Sequence, residues 1–422
     1  MTAAPAIKGW CPTLLSPMQS GDGWLARVKP SAGKVSAAGA RVVADAARRH
    51  GNGHIDFTSR ANFQIRGLTP RGAELLAETI IGHGLANANP SMETIRNVMA
   101  SPLGPDDPSA AFDSHALARD IEARLAGERA LWALPSKFGI LLDGGGGLPL
   151  HDVNTDIMVR PYKGALAVHL DGGTLATLRD PASLAETIEA LALAFLRLSA
   201  ERNEPPRRMR ALVMAVGDEA IFAAAGLSTT SLPSLPESEP QSSIGWISLR
   251  DQARGAFGVG LPFGRIDAEA LASLADLSER YGDASLRTTP WRALLLIGIA
   301  SVDEKILRDE VAALDLITDS TDPRLTIFAC VGAPSCQSAS VDARGDASYL
   351  AAAVEATPDD TMHISGCVKA CAHRNPAALT LVGRDGRYDL VRNGTTADRP
   401  SATGLSIEQI VALLQSAKGQ CP

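Results

Sequence analysis

Four of the six cysteines lie within 42 residues, in two close pairs separated by thirty residues: Cys330-x5-Cys336 and Cys367-x3-Cys371. Four thiolates are the usual protein ligands of a [4Fe–4S] cluster. Residues four apart on a helix face the same way, so the second pair, in HISGCVKACAH, is predicted to grip one side of a cluster from one helical turn. The first pair follows a predicted strand, in a loop shaped by Gly332 and Pro334, and would grip the other side.

Zinc is the main alternative ligand for these thiols. Structural zinc pairs usually have two to four intervening residues, so the five residues within the first pair fit zinc poorly. Unligated core cysteines are a further alternative, which two tight pairs disfavour. Cys11 and Cys421 stand alone near the chain ends, and we interpret them as unligated thiols.

Other chemistry-bearing residues carry weaker signals. Residues 143–147, Asp-Gly-Gly-Gly-Gly, could suggest a phosphate cradle, but no Gly-Lys-Ser/Thr follows, so a hairpin loop is the better interpretation. His363 and His373 flank the second cysteine pair, and His151 precedes Asp152. A mononuclear iron site needs such side chains to converge in space. Sequence does not show convergence, so we assign no ligand of this kind.

Composition limits the function classes. The chain has 422 residues, 45% hydrophobic and 21% charged, with a net charge of −7. An acidic chain lacks the broad basic surface that nucleic-acid binding needs. We find no apolar run long enough for a membrane span and no signal-peptide pattern, so the expected compartment is the cytoplasm.

An internal repeat indicates how the elements around the cysteines are organised. The stretch that begins GWLARVKPSAGKVS recurs, at an offset of 231 residues, in the stretch that begins RGAFGVGLPFGRID. In each copy a helix begins after a capping residue, Ser36 or Asp267, and ends at a predicted left-handed glycine, Gly51 or Gly282. One strand precedes the helix and two short strands follow. This order predicts a ferredoxin-like unit in each copy.

Between and after the copies, strand and helix patterns predict two α/β domains, and a Ser/Pro/Glu-rich stretch predicts a linker or mobile loop. The chain is therefore divided into half-unit 1 over 10–85, α/β domain 1 over 90–225, a linker over 226–243, half-unit 2 over 245–315 and α/β domain 2, with the clustered cysteines, over 320–420.

The cysteine spacing, with the second pair inside Gly366-Cys-Val-Lys-Ala-Cys-Ala, resembles the siroheme and [4Fe–4S] signature of the sulfite and nitrite reductase superfamily. The resemblance covers nearly the whole chain, because that superfamily has the same duplicated plan. It implies an α+β, sulfite-reductase-like architecture of two ferredoxin-like half-units and two α/β hemoprotein-type domains. In those enzymes the fourth cysteine also bridges the cluster to the siroheme iron, and Cys371 holds that position here.

Five basic residues fall in segments similar to the superfamily's anion-binding segments. The segments are ARVKPSAG, TSR, RNV and LPSKF. Because arginine can make bidentate contacts with carboxylates, the resemblance implies that these side chains converge on a carboxylate-fringed tetrapyrrole. Ordinary surface charge is the alternative. The five residues are Arg27, Lys29, Arg60, Arg96 and Lys137.

The chain departs from the reductases beside these segments. The reductases have an arginine where this chain has Ser136, and a second lysine where it has Gly139. That lysine helps to bind and protonate the small anion, so its loss counts against reduction of sulfite or nitrite. In the second repeat, Trp291 stands opposite Arg60, with Arg292 one residue on.

Within the superfamily, four segments are most similar to the precorrin-3B synthase family: CPTLLSPMQSGDGWLARV, TSRANFQIRG, RNVMASPLGPD and GCVKACAHRNPAALTLVG. This resemblance implies O2-dependent hydroxylation of precorrin-3A at its C20 carbon, with closure of a γ-lactone, in aerobic cobalamin biosynthesis. It also implies a [4Fe–4S] cluster and a mononuclear non-haem iron.

The implied partners are the tetrapyrrole substrate and O2. No Gly-x-Gly-x-x-Gly opens a helix after a strand, so we expect a separate NAD(P)H-using reductase to deliver the electrons. Two alternatives stay open. One is a siroheme-dependent sulfite or nitrite reductase, and the other is a non-catalytic iron–sulfur electron-transfer protein.

Overall fold

The computed structural model describes residues 11–233, 240–354 and 361–418. Some predicted positions lie outside the described residues: residue 10 of half-unit 1, residues 234–239 of the linker, and Cys421. Helices and sheets alternate along the chain in an α+β arrangement.

The first half-unit combines two helices with its hairpin strands. Its elements are β1 (Met18–Ser20), β2 (Gly23–Val28), β3 (Lys34–Ser36), α1 (Ala37–His50), β4 (His54–Phe57), β5 (Phe63–Leu68) and α2 (Pro70–Gly82). The predicted cap of α1 is confirmed, because Ser36 Oγ accepts a hydrogen bond from the Gly39 amide at 3.0 Å. Thr69 caps α2 in the same way.

The first α/β domain holds a six-stranded sheet in the order β11-β10-β9-β8-β7-β6. Strands β6, β7 and β8 are parallel, and the remaining pairs are antiparallel. Its elements are α3 (Pro90–Ile95), β6 (Val98–Ala100), α4 (Ser114–Gly127), β7 (Ile140–Leu142), β8 (Ile157–Tyr162), β9 (Ala165–Leu170), β10 (Leu175–Arg179), α5 (Leu184–Ala200), α6 (Met209–Val216), α7 (Asp218–Ala224) and β11 (Thr230–Ser231).

The second half-unit repeats the first. Its elements are β12 (Gly245–Ser248), β13 (Arg254–Gly260), β14 (Arg265–Asp267), α8 (Ala268–Tyr281), β15 (Ser285–Thr288), β16 (Ala293–Ala300) and α9 (Glu304–Ala312). Helices α1 and α8 keep the 231-residue offset at both ends.

The two half-units exchange a strand. Strand β3 pairs with β15 of the second copy, and β14 pairs with β4 of the first, so each five-stranded sheet ends on the other copy's strand. Buried apolar side chains of α1, α8 and both sheets form one continuous core. The half-units are therefore interlocked, and each completes the other's sheet.

The second α/β domain carries the clustered cysteines. Its sheet has the order β17-β18-β19-β20-β21, parallel at first and antiparallel from β19 onwards, as in the first domain. The duplication thus extends to the α/β domains. The elements are β17 (Ile327–Ala329), α10 (Ala343–Ala353), β18 (Met362–Ser365), β19 (Ala377–Arg384), β20 (Arg387–Gly394), β21 (Ala402–Leu405) and α11 (Ile407–Lys418).

The glycines that end the repeated helices are not left-handed, so that part of the prediction is wrong. Gly51 has φ −110° and Gly282 has φ −123°. A strand carbonyl passes close by instead: a Cβ on Gly51 would lie 2.5 Å from the Arg66 oxygen, and one on Gly282 would lie 2.4 Å from the Ile297 oxygen. Glycine is required here for close backbone approach rather than for its handedness.

The predicted side-chain cap of α8 is also not observed. The Asp267 side chain accepts no capping hydrogen bond. Its carboxylate instead lies 2.6 Å from Nδ1 of His54, on the strand that pairs with β14. The exchanged strand therefore draws the side chain away from its own helix. Among the described helices, none combines the length and apolar character needed to cross a bilayer.

Candidate functional site

A cavity of about 860 Å³ opens where both half-units, the segment after the Gly-rich loop and the second α/β domain meet. This volume lies within the range of small-molecule and cofactor sites. The lining combines thiols, guanidinium groups and aromatic rings. These residues include Cys330, Cys336, Cys371, Arg27, Arg66, Arg292, Arg344, Trp291 and Phe328.

The cysteine loops follow the two neighbouring parallel strands β17 and β18. Carboxyl ends of parallel strands meet at one edge of a sheet, which brings the two pairs together. We predicted that the second pair lies on one helical turn, and this prediction is wrong. Residues 366–371 form turns and bends, and Ala370 has φ 51°. This loop therefore positions its thiols through irregular backbone.

All four thiols influence one another electrostatically. Burial raises the pKa of Cys371, and Cys330, Cys367 and Cys336 raise that pKa further. Burial also raises the pKa of Cys330, although its sulfur accepts a hydrogen bond from the Gly366 amide at 3.1 Å. Thiols in this setting stay protonated unless positive charge, such as that of bound iron, stabilises the thiolates.

These four thiols suit a cluster as a donor set. In the described part of the chain, no three His, Cys, Asp or Glu side chains are grouped to hold one metal ion. Four thiolates are the usual protein ligands of a [4Fe–4S] cluster, and hydrogen bonds to sulfur are a known feature of such sites. The Gly366 amide supplies one such hydrogen bond to Cys330. The donor set therefore fits a [4Fe–4S] cluster.

The first cysteine loop is fastened to the first half-unit. The backbone oxygen of Ser335 accepts hydrogen bonds from the Gly21 amide at 3.1 Å, from Ser20 Oγ at 2.8 Å and from Arg66 Nη2 at 2.7 Å. The approach is so close that a Cβ on Gly21 would lie 2.4 Å from the Pro334 oxygen. The position of Cys336 is therefore set by the β1–β2 hairpin as well as by its own domain.

A buried carboxylate, Asp56 on β4, gathers arginines from three parts of the chain beside the cavity. Arg265 Nε and Arg344 Nη1 both donate to its Oδ1 at 2.7 Å, and Arg66 Nε lies 3.9 Å from Oδ2. Burial alone would raise the pKa of Asp56, but Arg344 and Arg265 outweigh burial and hold this pKa below its usual value. Arg344 Nε has no hydrogen-bond partner within the described residues.

Two cavity arginines have no carboxylate partner in the described chain. Arg292 donates to the backbone oxygens of Ile327 and Leu325 at 2.7 Å each, and its guanidinium lies 4.2 Å from the Phe328 ring centre. Burial, and then Arg344, lower its pKa to about 10, so it stays charged at neutral pH. Arg27 donates to Gln64 Oε1 at 3.2 Å. The cavity thus carries positive charge that no carboxylate of the described residues neutralises by direct pairing.

The structure does not bring together the five basic residues that were predicted from the sequence to bind the tetrapyrrole. Arg27 lines the large cavity. Lys29, Arg60 and Arg96 line a narrow cavity of about 20 Å³. Lys137 is placed near them by its backbone, whose oxygen accepts from Arg60 Nη2 at 2.9 Å.

The narrow cavity is held by internal contacts. Lys29 Nζ donates to the Glu93 and Thr94 oxygens at 2.9 and 3.1 Å, and Arg96 pairs with the Glu93 carboxylate at 2.8 Å. Burial lowers the pKa of Lys29 to about 8. This volume is sufficient for a water molecule but not for a macrocycle.

Three arginines of the large cavity are not among the basic residues predicted from the sequence: Arg66, Arg292 and Arg344. The repeat offered one signal, since Arg292 is the residue after the position equivalent to Arg60. Arg344 reaches the cavity from the first turn of α10, and no local pattern marks it. His151 and Asp152 also line the cavity. His363 and His373 lie in the second α/β domain, behind Phe328.

Comparisons with known proteins agree with this architecture. The family model "Nitrite/Sulfite reductase ferredoxin-like half domain" matches residues 16–80 and 248–314. A precorrin-3B synthase from Sinorhizobium sp is 30% identical, over 95% of this chain and 86% of the relative. A ferredoxin–nitrite reductase from Synechococcus elongatus is 24% identical, over 87% of this chain and 77% of the relative.

Among solved structures, the NirA protein of Mycobacterium tuberculosis has the same fold. The two superpose with a TM-score of 0.73 at 20% identity, covering 92% of this chain and 79% of that protein.

Proposed function

The chain belongs to the precorrin-3B synthase family of the nitrite and sulfite reductase superfamily, and on this basis we propose that it hydroxylates precorrin-3A at C20, with O2 as oxidant and closure of a γ-lactone. The observation that carries the proposal is the large cavity, lined both by cysteines of the paired motif and by arginines without carboxylate partners. This combination suits a carboxylate-fringed tetrapyrrole beside an electron source.

Substrate binding is assigned to the large cavity. Arg27 and Arg292 would each pair with a peripheral carboxylate, because charge-assisted contacts of this kind are strong and no carboxylate of the described residues is paired with either arginine. Trp291 and Phe328 offer aromatic surface to the macrocycle. Holding the ring in one orientation sets its meso carbon toward the reaction site. The binding roles of Lys29, Arg60, Arg96 and Lys137 remain predictions, and because these residues lie at the narrow cavity we assign them no direct contact with the macrocycle.

Electron supply is assigned to the paired cysteines. Cys330, Cys336, Cys367 and Cys371 would hold a [4Fe–4S] cluster, which transfers electrons singly when bound. Cys330, Cys336 and Cys371 line the cavity and would place that cluster at its wall. A mononuclear non-haem iron would supply the open coordination position that O2 chemistry requires. A separate NAD(P)H-using reductase would act as the donor.

The proposed reaction balances with these partners. One oxygen atom of O2 enters the new C–O bond at C20, and the other is reduced to water. Two electrons from the reductase and two protons complete the reduction. The ring-A acetate oxygen closes the lactone within the same oxidation level, so no further oxidant is needed.

Incubation with precorrin-3A, a reductase system and isotopically labelled O2 tests this proposal. We expect a product one oxygen atom heavier than the substrate, with the added atom drawn from O2, as measured by mass spectrometry. A cluster that cycles between oxidation states without any product would favour the electron-transfer alternative. Tightly bound siroheme in the visible spectrum of the purified protein would contradict the proposal and favour a reductase.

The reductase alternative can also be tested at Gly139. A Cβ there would lie 3.6 Å from the Asn97 oxygen and from Thr155, which are ordinary contact distances. The Cβ of Gly139→Lys is therefore accommodated, and the substitution adds a cation beside Lys29, Arg60 and Arg96. We expect the wild type to bind no sulfite in calorimetry and the variant to gain sulfite binding. Sulfite binding by the wild type would support the reductase alternative.

A further inference from the structure

One buried histidine in the second α/β domain has no polar partner. His363 lies on β18 with no solvent exposure, and within the described residues neither Nδ1 nor Nε2 has a hydrogen-bond partner. Buried side-chain nitrogens are nearly always paired, because an unpaired one loses its water without compensation. An imidazole with both nitrogens unpaired therefore calls for a partner that is not part of the chain.

A second imidazole faces the first. The ring centres of His363 and His373 are 5.9 Å apart, with the ring planes at 66°. Metal–nitrogen bonds to histidine are about 2.0–2.1 Å, so two rings sharing one ion have centres about 5–6.5 Å apart. The observed separation lies in this range. Phe328 holds the second ring by stacking at 4.4 Å.

The surroundings of His373 match those of a metal-binding histidine. Its ring hydrogen-bonds to the backbone of Pro376, which can offer only a carbonyl oxygen. A histidine that ligates a metal through one nitrogen usually donates its other N–H to such an acceptor.

We propose that His363 and His373 form a binding site for one divalent first-row transition-metal ion. Imidazole suits iron, zinc, nickel and copper among these ions. In the described residues no third His, Cys, Asp or Glu joins the pair, so water or a small ligand completes the coordination. Such a site has open positions.

The site lies directly behind the cavity wall. Phe328, which stacks on His373, lines the cavity, and so does Ala372, the preceding residue in the chain. It is also close in sequence to Cys371. A metal here would lie beside both the cavity and the paired cysteines. The site stands independently of the reaction proposed above, since it rests on the unpaired nitrogens and the ring geometry.

Cobalt binding tests the site without interference from cluster iron. Tag-free protein with its cluster intact is dialysed anaerobically against Co2+, and bound cobalt is counted together with acid-labile sulfide. We expect one cobalt per chain in the wild type. His363→Phe and His373→Phe, which keep an aromatic ring and remove the nitrogens, should lose that cobalt at unchanged sulfide content. His83→Phe, at the exposed end of α2, is the matched control and should retain it.

Cobalt retained by both substituted proteins, or absent from the wild type, would overturn the proposal. A second measurement uses only the wild type and therefore tests the site even if the variants fail to fold. Co2+ should raise the thermal midpoint of the wild type, because a ligand that binds only the folded state stabilises it. An unchanged midpoint would also overturn the proposal. Neither readout uses enzyme activity, so failure of the site and failure of the proposed function are distinguishable.

Discussion

At the scale of single residues, Cys371 has the most exposed position of the four paired thiols. It is exposed and lines the cavity, whereas Cys330, Cys336 and Cys367 are partly buried. Its thiolate would therefore stand between the cluster and whatever occupies the cavity. The remaining described cysteine, Cys11, lies near Arg27 and Arg60 and is not part of the group.

Because Cys371 belongs to the cysteine group and Cys11 does not, we expect different outcomes when each is substituted. Cys371→Ser should lose most of the cluster, because three thiolates hold a cubane less well than four. Cys11→Ser should retain it. Iron and sulfide analysis with visible absorbance measures both variants. Equal iron and sulfide in the two variants would show that the ligand assignment is wrong.

A second residue-scale prediction concerns His115. Its ring is buried against Gly104, and Nε2 lies 2.9 Å from the Ser101 oxygen. Burial lowers its pKa from 6.5 to about 4. Between these values the unfolded chain binds a proton that the folded chain does not, so this group's contribution to stability falls as the pH drops from about 6.5 to about 4.

His115→Gln should lower the slope of the unfolding free energy against pH by an amount that corresponds to at most one bound proton. The glutamine keeps a hydrogen-bond donor for the Ser101 oxygen. Urea denaturation at pH 7 and pH 5 measures the effect. His83→Gln, an exposed position, should leave the wild-type slope unchanged. An identical slope in all three proteins would contradict the role given to His115.

At the scale of elements, the repeated helices end where a neighbouring strand passes close by. A Cβ on Gly282 would lie 2.4 Å from the Ile297 oxygen and 3.0 Å from the Ser278 oxygen. Both neighbours are backbone atoms, so neither moves without distorting the helix end or the strand. Gly82, at the end of α2, has open space at the same point.

Gly282→Ala should therefore lower the free energy of unfolding by about 1–3 kcal/mol, the usual cost of forced overpacking. Gly82→Ala should leave it unchanged or raise it by up to about 1 kcal/mol, because alanine restricts the unfolded chain. Urea midpoints at constant slope measure both. Equal stability of the two variants would show that the carbonyl approach does not select glycine.

At the scale of the whole molecule, Asp56 connects segments that are far apart in sequence. Its partners Arg265 and Arg344 come from the second half-unit and from the cluster domain. The exchange of β3 and β14 interlocks the half-units in the same region. The cavity is thus bounded by segments that are held together by one buried charge network and one shared pair of sheets.

Asp56→Asn should destabilise the fold by about 3–5 kcal/mol, because it leaves buried arginines without their counter-charge. The depressed pKa of Asp56 means that its stabilising effect is present above the unfolded-state value and is lost as pH falls through the folded-state value. The difference between wild type and variant should therefore shrink in acid.

Asp45→Asn is the matched control for that substitution. Asp45 pairs with Arg48 and Arg49 on the exposed face of α1, and such pairs contribute about 0–1 kcal/mol. Urea denaturation at neutral and acid pH measures all three proteins. A loss in Asp56→Asn no larger than that of the control would show that the buried network is not stabilising.

The chain's sequence was sufficient for features that depend on local spacing. The cysteine pairs, the 231-residue repeat and the Ser36 cap follow from periodicity and from short-range hydrogen bonding, which adjacent residues encode directly. The superfamily, and the precorrin-3B synthase family within it, followed from the same short segments and is confirmed by the relatives.

Only the tertiary structure decided which basic residues share a cavity. Asp56 and Arg344 are 288 residues apart, and their contact depends on how three separate units pack. The same packing separates Arg27 from Lys29, Arg60 and Arg96. Arg27 lies on β2, whereas Lys29 follows the end of that strand and donates to the Glu93 and Thr94 oxygens of the first α/β domain. Packing also gives the two glycines a close strand carbonyl in place of the predicted left-handed conformation. The second cysteine pair lies in an irregular loop in place of the predicted helical turn. Local spacing encodes neighbours along the chain, whereas cavities form from surfaces that meet only after folding.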